Sequence, residues 1–168
     1  MSEQNTLNEN ASEVLLTPEG FIGLHEELEM LTMVKRPEIA DRIRESQQHG
    51  EFSEDNSELD EVKFEQAMVE NRIAELKGIF ANARKLEFDQ IPDDHVGIGS
   101  YVTLDDPAFG EQFEVRLVSS VEADPAQDLV SVESPMGSAV YGASPDSWIE
   151  FLAPEGKKRF KVVSIRVK

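Results

Sequence analysis

The stretch SEDNSELDEVKFEQAMVENRIAELKGIFANAR, residues 53–84, decides the fold. Its apolar residues fall into two seven-residue series. Leu59, Ile73 and Phe80 lie in one, with Gln66 as its polar member; Val62, Val69, Leu76 and Ala83 form the other. Steps of three and four residues place both series on one side of an α-helix, as the a/d seam of a coiled coil. Such a seam needs a second helix to cover it.

That helix precedes it. Residues 17–48 read as one helical stretch, with Thr17 as N-cap and Pro18 at the first helical position. Phe21, Leu24, Leu28 and Leu31 recur at helical spacing, and Ile39 and Ile43 resume the apolar face. Pro37 lacks an N–H and crowds the preceding turn, which predicts a kink or brief break near Lys35–Arg36. Gly50 ends the stretch. Two such arms of about 30 residues make an antiparallel coiled-coil hairpin, each arm roughly 45 Å long at 1.5 Å per residue. The alternative, half of a helical bundle, is weakened because no further long helical segment follows.

From about Asp93 the texture changes. Tyr101–Leu104, Gln112–Val118, Leu129–Glu133, Trp148–Leu152 and Phe160–Val167 are short, rich in β-branched and aromatic residues, and separated by Gly and Pro turns. The segment 137–142, GSAVYG, reads as a short helix. The expected fold is therefore α+β, an N-terminal antiparallel helical hairpin followed by a small mostly-β domain. The expected divisions are a disordered extension at 1–14, the hairpin at 15–86, a linker at 87–97 and the β domain at 98–168. Trp148 and Phe160 are expected in the β core. His25 and His95 are expected to be surface or packing residues.

The arms are joined through HGEFSEDNSELDEVK, residues 49–63, which holds six acids: Glu51, Glu54, Asp55, Glu58, Asp60 and Glu61. The acidic tip spans 49–61. Clustered like charges cost stability, least where water solvates every carboxylate. The net charge of −18 speaks against a nucleic-acid binder of the usual basic kind. It suits either plain solubility or a basic, cationic or metal-bearing partner. The chain has no cysteine, which excludes disulfides, thiolate metal sites and cysteine nucleophiles. No apolar run approaches the roughly 20 residues of a membrane helix. The polar start, MSEQNTLNENASEV, does not read as a signal or transit peptide.

Grouped carboxylates suit hard cations such as magnesium, bound weakly alone because the ion keeps its waters. They would act better by completing a site that a second macromolecule half-supplies, as in two-metal phosphodiester chemistry. The order of an EF-hand loop is absent from Glu51 onward. A solvated acidic loop with no ligand explains the same pattern.

The assembled motifs are similar to those of the Gre-type transcript cleavage factors of bacterial RNA polymerase, on the GreA-like branch. LTPEGFIGLHEEL, from Leu16, resembles the family's T-x-x-G-x-x-x-L-x-x-EL. KRPEIADRIRESQQHGEFSE, from Lys35, resembles its basic residues, PEI, helix and HGDLxEN. SPMGSAVYG, Ser134–Gly142, resembles SPxGxALLG, and APEGKKRFKVVSI follows. The resemblance covers residues 15–168. It implies a hairpin that enters the polymerase secondary channel and an FKBP-like C-terminal domain that docks at the rim. It also implies a cytoplasmic monomer that is not an enzyme alone but assists the polymerase's own nuclease activity on the 3′ end of backtracked RNA. An FKBP-like fold alone does not bring prolyl isomerase activity.

Carried onto this sequence, the two metal-holding acids fall on Glu51 and Glu54 and the motif's Asn on Asn56. A glutamate thus stands in the Asp position, and one extra residue, Asp55, precedes Asn56 as a further candidate ligand for magnesium. Some relatives occupy the same channel and inhibit without cleaving. Lys35, Arg36 and Arg44, with Arg42, match the family's RNA-contacting basic patch. They also have Glu38, Asp41 and Glu45 at pairing distance along the helix. Ser134, Pro135, Met136 and Gly137 are the implied polymerase-docking residues. The terminal bases Lys157, Lys158, Arg159 and Lys161 read as a solvated strand edge.

Overall fold

The computed structural model describes residues 13–49 and 57–168. Most of the expected N-terminal extension, and Gly50 to Asn56 of the tip, lie outside the described residues. The chain divides into two compact units, residues 22–81 and, among those described, 13–21 with 82–168.

The helical unit holds most of three helices: α1 (Pro18–Met30), α2 (Arg36–His49) and α3 (Ser57–Asn82). A π-helical turn, Leu31–Lys35, joins α1 to α2, and Arg36 N–H bonds Leu31 O across it. The predicted break near Lys35–Arg36 is thus a wide turn just before Pro37 in one continuous arm. Proline removes a rung of the ladder and crowds the carbonyl four residues back, and an i→i+5 turn accommodates both. Leu31, Ile73 and Leu76 form the buried centre of the unit, flanked by Leu24, Leu28, Val69 and Ile79. Val62 and Ile39 are also buried, whereas Gln66, the polar member of the seam, faces water. Cross-arm ion pairs set the direction. Arg72 meets Glu27, Arg36 meets Glu70 and Arg42 meets Glu65, so partners descend on one arm as they climb the other. The arms are antiparallel.

In the second unit the ends of the helical stretches are tied by strands that hydrophobic spacing did not reveal. β1 (Val14–Leu16) runs parallel to β2 (Ala83–Lys85), with Leu15 opposite Arg84. Ala83, read as the last seam residue, is therefore in a strand. The main sheet contains β3 (Tyr101–Asp106), β4 (Glu111–Val118), β5 (Leu129–Ser131), β6 (Trp148–Ala153) and β7 (Gly156–Arg166) in the order β5-β4-β3-β7-β6. Only β4 and β5 run parallel. A short helix, α4 (Pro135–Val140), follows β5. Val102, Leu104, Val115, Leu117, Val140, Ile149, Phe160 and Val162 form the core. Val96, wholly buried, joins it, and Ile91 is also buried, so the segment read as a linker is packed into this unit.

One expectation fails here for reasons of strand geometry. Trp148 is 46% exposed, because alternation along β6 turns Ile149 and Phe151 inward and Trp148 outward. Phe160 is 5% exposed, as expected, with Phe113 and Phe151 edge-on to it. Of the terminal bases, Lys161 lies inside the sheet opposite Asp105, whereas Lys157, Lys158 and Arg159 lie beyond the last β3 pair and are bonded to β6 alone, a local strand edge as expected.

Candidate functional site

The six acids of the joining stretch divide into two groups. Glu58, Asp60 and Glu61 are exposed on the first turns of α3, where the positive end of the helix dipole favours Glu58 and Asp60. Glu51, Glu54 and Asp55 lie outside the described residues. The geometry of their flanks is plain: α2 ends at His49, α3 starts at Ser57, and residues 50–56 join two antiparallel arms. Among the described residues, no cluster of His, Cys, Asp or Glu is placed to hold a metal.

The basic residues at the π turn are not free. Lys35 Nζ lies 3.5 Å from Glu65, and Arg36 forks onto Glu70 through Nε and Nη2 at 2.8 and 2.9 Å. Arg42 Nη1 donates to Glu65 at 2.7 Å, and Arg44 reaches Asp41 at 3.2 Å. Hydrogen bonds from the arginines hold the carboxyls of Glu70 and Glu65 below the usual range. Arg36, Lys35, Arg42 and Arg44 therefore line one arm, and all but Arg44 are tied to α3. These pairs are solvated and cheap to exchange, so a phosphate could replace a carboxylate there.

Ser134, Pro135, Met136 and Gly137 come together at the start of α4. Ser134 Oγ donates to Ser131 O at 2.7 Å and accepts from Gly137 N at 3.0 Å, capping the helix, with Pro135 following the cap. A Cβ on Gly137 would stand 1.8 Å from Ser131 O. Met136 packs against the core, and Pro135 is exposed. Gly142 closes the motif at a positive φ of 78°. Three of the four residues implied for docking thus also shape the turn that presents Pro135.

The start of α1 follows the same pattern. Thr17 Oγ1 accepts from Gly20 N at 3.0 Å as N-cap and donates to Glu122 Oε1 at 2.6 Å. Thr17 N donates to Glu122 Oε2 at 2.9 Å. A Cβ on Gly20 would fall 1.6 Å from Glu122 Oε1. This accounts for both fixed letters of T-x-x-G. Burial raises the Glu122 carboxyl above its ordinary range, against the lowering effect of the Thr17 bonds and Arg116. Arg116, 5% exposed, donates from Nε to Gly99 O at 3.1 Å and from Nη1 to Glu19 at 3.0 Å. Glu122 and Arg116 were missed in the sequence. No local pattern marks a residue whose partner is about 100 positions away. Both line a cleft of about 620 Å³, with Glu114 held there by Arg166.

Residues 14–84 match the family described as "Transcription elongation factor, N-terminal", and residues 91–167 match "Transcription elongation factor, GreA/GreB, C-term". This chain belongs to the GreA/GreB family. It is 44% identical over 154 residues to the transcription elongation factor GreA of Acetivibrio thermocellus, covering 92% of this chain and 96% of that one. It is 42% identical over 152 residues to GreA of Clostridium kluyveri, covering 90% and 95%. The crystal structure of GreA factor homolog 1 (Gfh1) of Thermus thermophilus is 33% identical, covers 92% of this chain and 99% of that one, and aligns with a TM-score of 0.42. The GreA/GreB assignment agrees with the helical hairpin and the mostly-β unit described above. No helix of the described residues is long and apolar enough to cross a membrane.

Proposed function

We propose that this chain is a bacterial transcription elongation factor that works as a cytoplasmic monomer on RNA polymerase. Its hairpin enters the secondary channel and stimulates cleavage of the 3′ end of backtracked RNA. The observation that carries this reading is the match of both units to GreA/GreB families. It is supported by two antiparallel arms joined through the segment that holds Glu51, Glu54 and Asp55.

The donor set suits magnesium, because all three side chains offer hard oxygen ligands. When bound, the ion supplies charge neutralisation and activation at a phosphodiester. Glu51 and Glu54 would hold it, with Asp55, adjacent to Glu54, as a further ligand. The shared site belongs to the polymerase, so the chain alone is not an enzyme. Arg36, Lys35 and Arg44 contact the RNA by trading their carboxylate partners for phosphate. The capped turn at Ser134–Gly137 docks the second unit on the polymerase.

A second reading rests on Asp55. One extra residue relative to the family motif shifts the carboxylates at a scale to which catalysis is sensitive. The chain would then occupy the channel and slow the polymerase without cleaving.

Both readings are tested with purified cognate polymerase in a backtracked complex carrying end-labelled RNA. The cleavage reading expects shortening within minutes in magnesium, abolished by Glu51→Ala/Glu54→Ala. Shortening that survives the double substitution would remove those residues from the role. Slowed elongation with no shortening, converted to shortening when Asp55 is deleted, would establish the second reading.

A further inference from the structure

The terminal bases are the part of the chain that the elongation reading leaves unused. Pairing between β3 and β7 stops at Asp105 opposite Lys161. The first residues of β7 therefore run on past the end of β3, paired only with β6. The space beside them is a cleft of about 330 Å³ between β7 and the β3–β4 turn. Lys157, Lys158 and Arg159 line one side, and Pro107, Ala108 and Phe109 line the other. Phe109 is 74% exposed, so its ring is open to a stacking partner.

The charge balance in the cleft is positive. Its one acid, Asp106, is engaged in the turn, where Oδ1 accepts from Ala108 N at 3.0 Å. Glu150 is shared between Lys157 at 3.0 Å and Arg159 at 3.8 Å, and Lys158 reaches Glu155 at 3.9 Å. These are solvated pairs that a more highly charged anion displaces at little cost. From Gly156 to Lys168 there are six bases and no acid, in a chain whose net charge is −18. Beyond a Debye length of about 8 Å the remaining acids are screened at physiological salt. Lys157 and Arg159 lie two residues apart on a strand, about 6.6 Å. Arg159 also lies 4.3 Å above the ring of Trp148, directly across from Lys161 on β6.

We propose that this cleft binds single-stranded nucleic acid, with the bases of β7 on successive phosphates and a nucleobase stacked on Phe109. Alternating cations and an exposed ring are the elements of a sequence-tolerant single-strand site. The cleft holds one nucleotide unit, and the cation row extends from it along β7 toward Trp148. All residues of the site belong to the second unit, and the proposal does not depend on the cleavage reading.

Trp148 is the only tryptophan, so its fluorescence reports on this site alone. The whole chain is titrated with oligo(U) of twelve nucleotides at low salt. A saturable change in emission is expected. Its affinity should fall with salt with a log–log slope near −2, from about 0.7 counterions for each of three phosphates. Lys157→Gln/Lys158→Gln should weaken it at least tenfold and Phe109→Ala at least fivefold, while Lys77→Gln, at an exposed base of α3, leaves it unchanged. No response at low salt, or equal affinity in the first two variants, overturns the proposal. So does an equal response to UTP, which would mark a free-nucleotide site, or to polyglutamate, which would mark a docking site for acidic polypeptide.

Discussion

Gly20 and Gly137 look alike in sequence, each third after a capping hydroxyl residue, but they differ in what a methyl group would meet. At Gly137 the obstacle is the Ser131 carbonyl, which belongs to the backbone and cannot yield. Gly137→Ala should lower stability by about 2–4 kcal/mol, in the range of overpacking and strain. At Gly20 the obstacle is the carboxylate end of Glu122, which can swing away at the cost of two bonds to Thr17. Gly20→Ala should cost about 1–2 kcal/mol. Chemical denaturation of the two variants checks the order, and an equal or reversed cost would refute it. Glu122 itself predicts a pH effect. Its folded pKa is raised by burial, so the native state binds the proton more tightly than the unfolded chain. Its contribution is full below the ordinary glutamate pKa and declines as pH rises through the raised value. Relative to Glu122→Gln, the wild type should therefore lose stability from acid toward neutral pH across that window. Stability curves of the two proteins that stay parallel across the window would contradict this. The T-x-x-G and SPxG motifs were legible as motifs. The contacts that make them necessary were not, because each glycine meets its neighbour only after distant segments pack.

At the level of elements, the heptad pattern of α3 was the most legible feature. Its buried residues, Val62, Ile73 and Leu76, are members of the two series read from the sequence. Ile73 is 2% exposed at the centre of the arm-to-arm packing. Ile73→Ala should cost about 2–5 kcal/mol and melt the helical signal in circular dichroism at lower temperature. A substitution to Ala at exposed Gln66 should leave that melt nearly unchanged. A comparable loss at both positions would mean that the seam does not hold the arms together. The π turn was read only as a kink. Sequence locates the disturbance at Pro37, but whether the helix breaks, bends or widens depends on how the second arm holds it. β1 and β2 were invisible for a similar reason. Three-residue parallel strands have too little periodicity to detect, and they exist only because the two ends of the helical stretches are brought side by side.

On the scale of the whole molecule, the proposed function gives the tip carboxylates a role in cleavage, while the two cores among the described residues are built from apolar side chains elsewhere in the chain. Glu51→Ala/Glu54→Ala should therefore abolish RNA shortening while leaving the thermal midpoint within error, which a single melting experiment beside the cleavage assay checks. Loss of both would show that the substitutions act through folding. The sequence by itself determined the α+β class, the antiparallel pairing of two helical arms, the order of the strands along the chain and the family. Those rest on local periodicity, capping residues and short motifs, all of which act over a few residues. Only the tertiary structure decided that β7 is an inner strand with its first residues open to a cleft, that Trp148 faces water, and that Val96 and Ile91 belong to the core. It also decided that Glu122 and Arg116 are buried against the first turn of α1. Burial and pairing between residues about 100 positions apart depend on which strands become neighbours, and strand order in the sheet is set by long-range packing that no local pattern records.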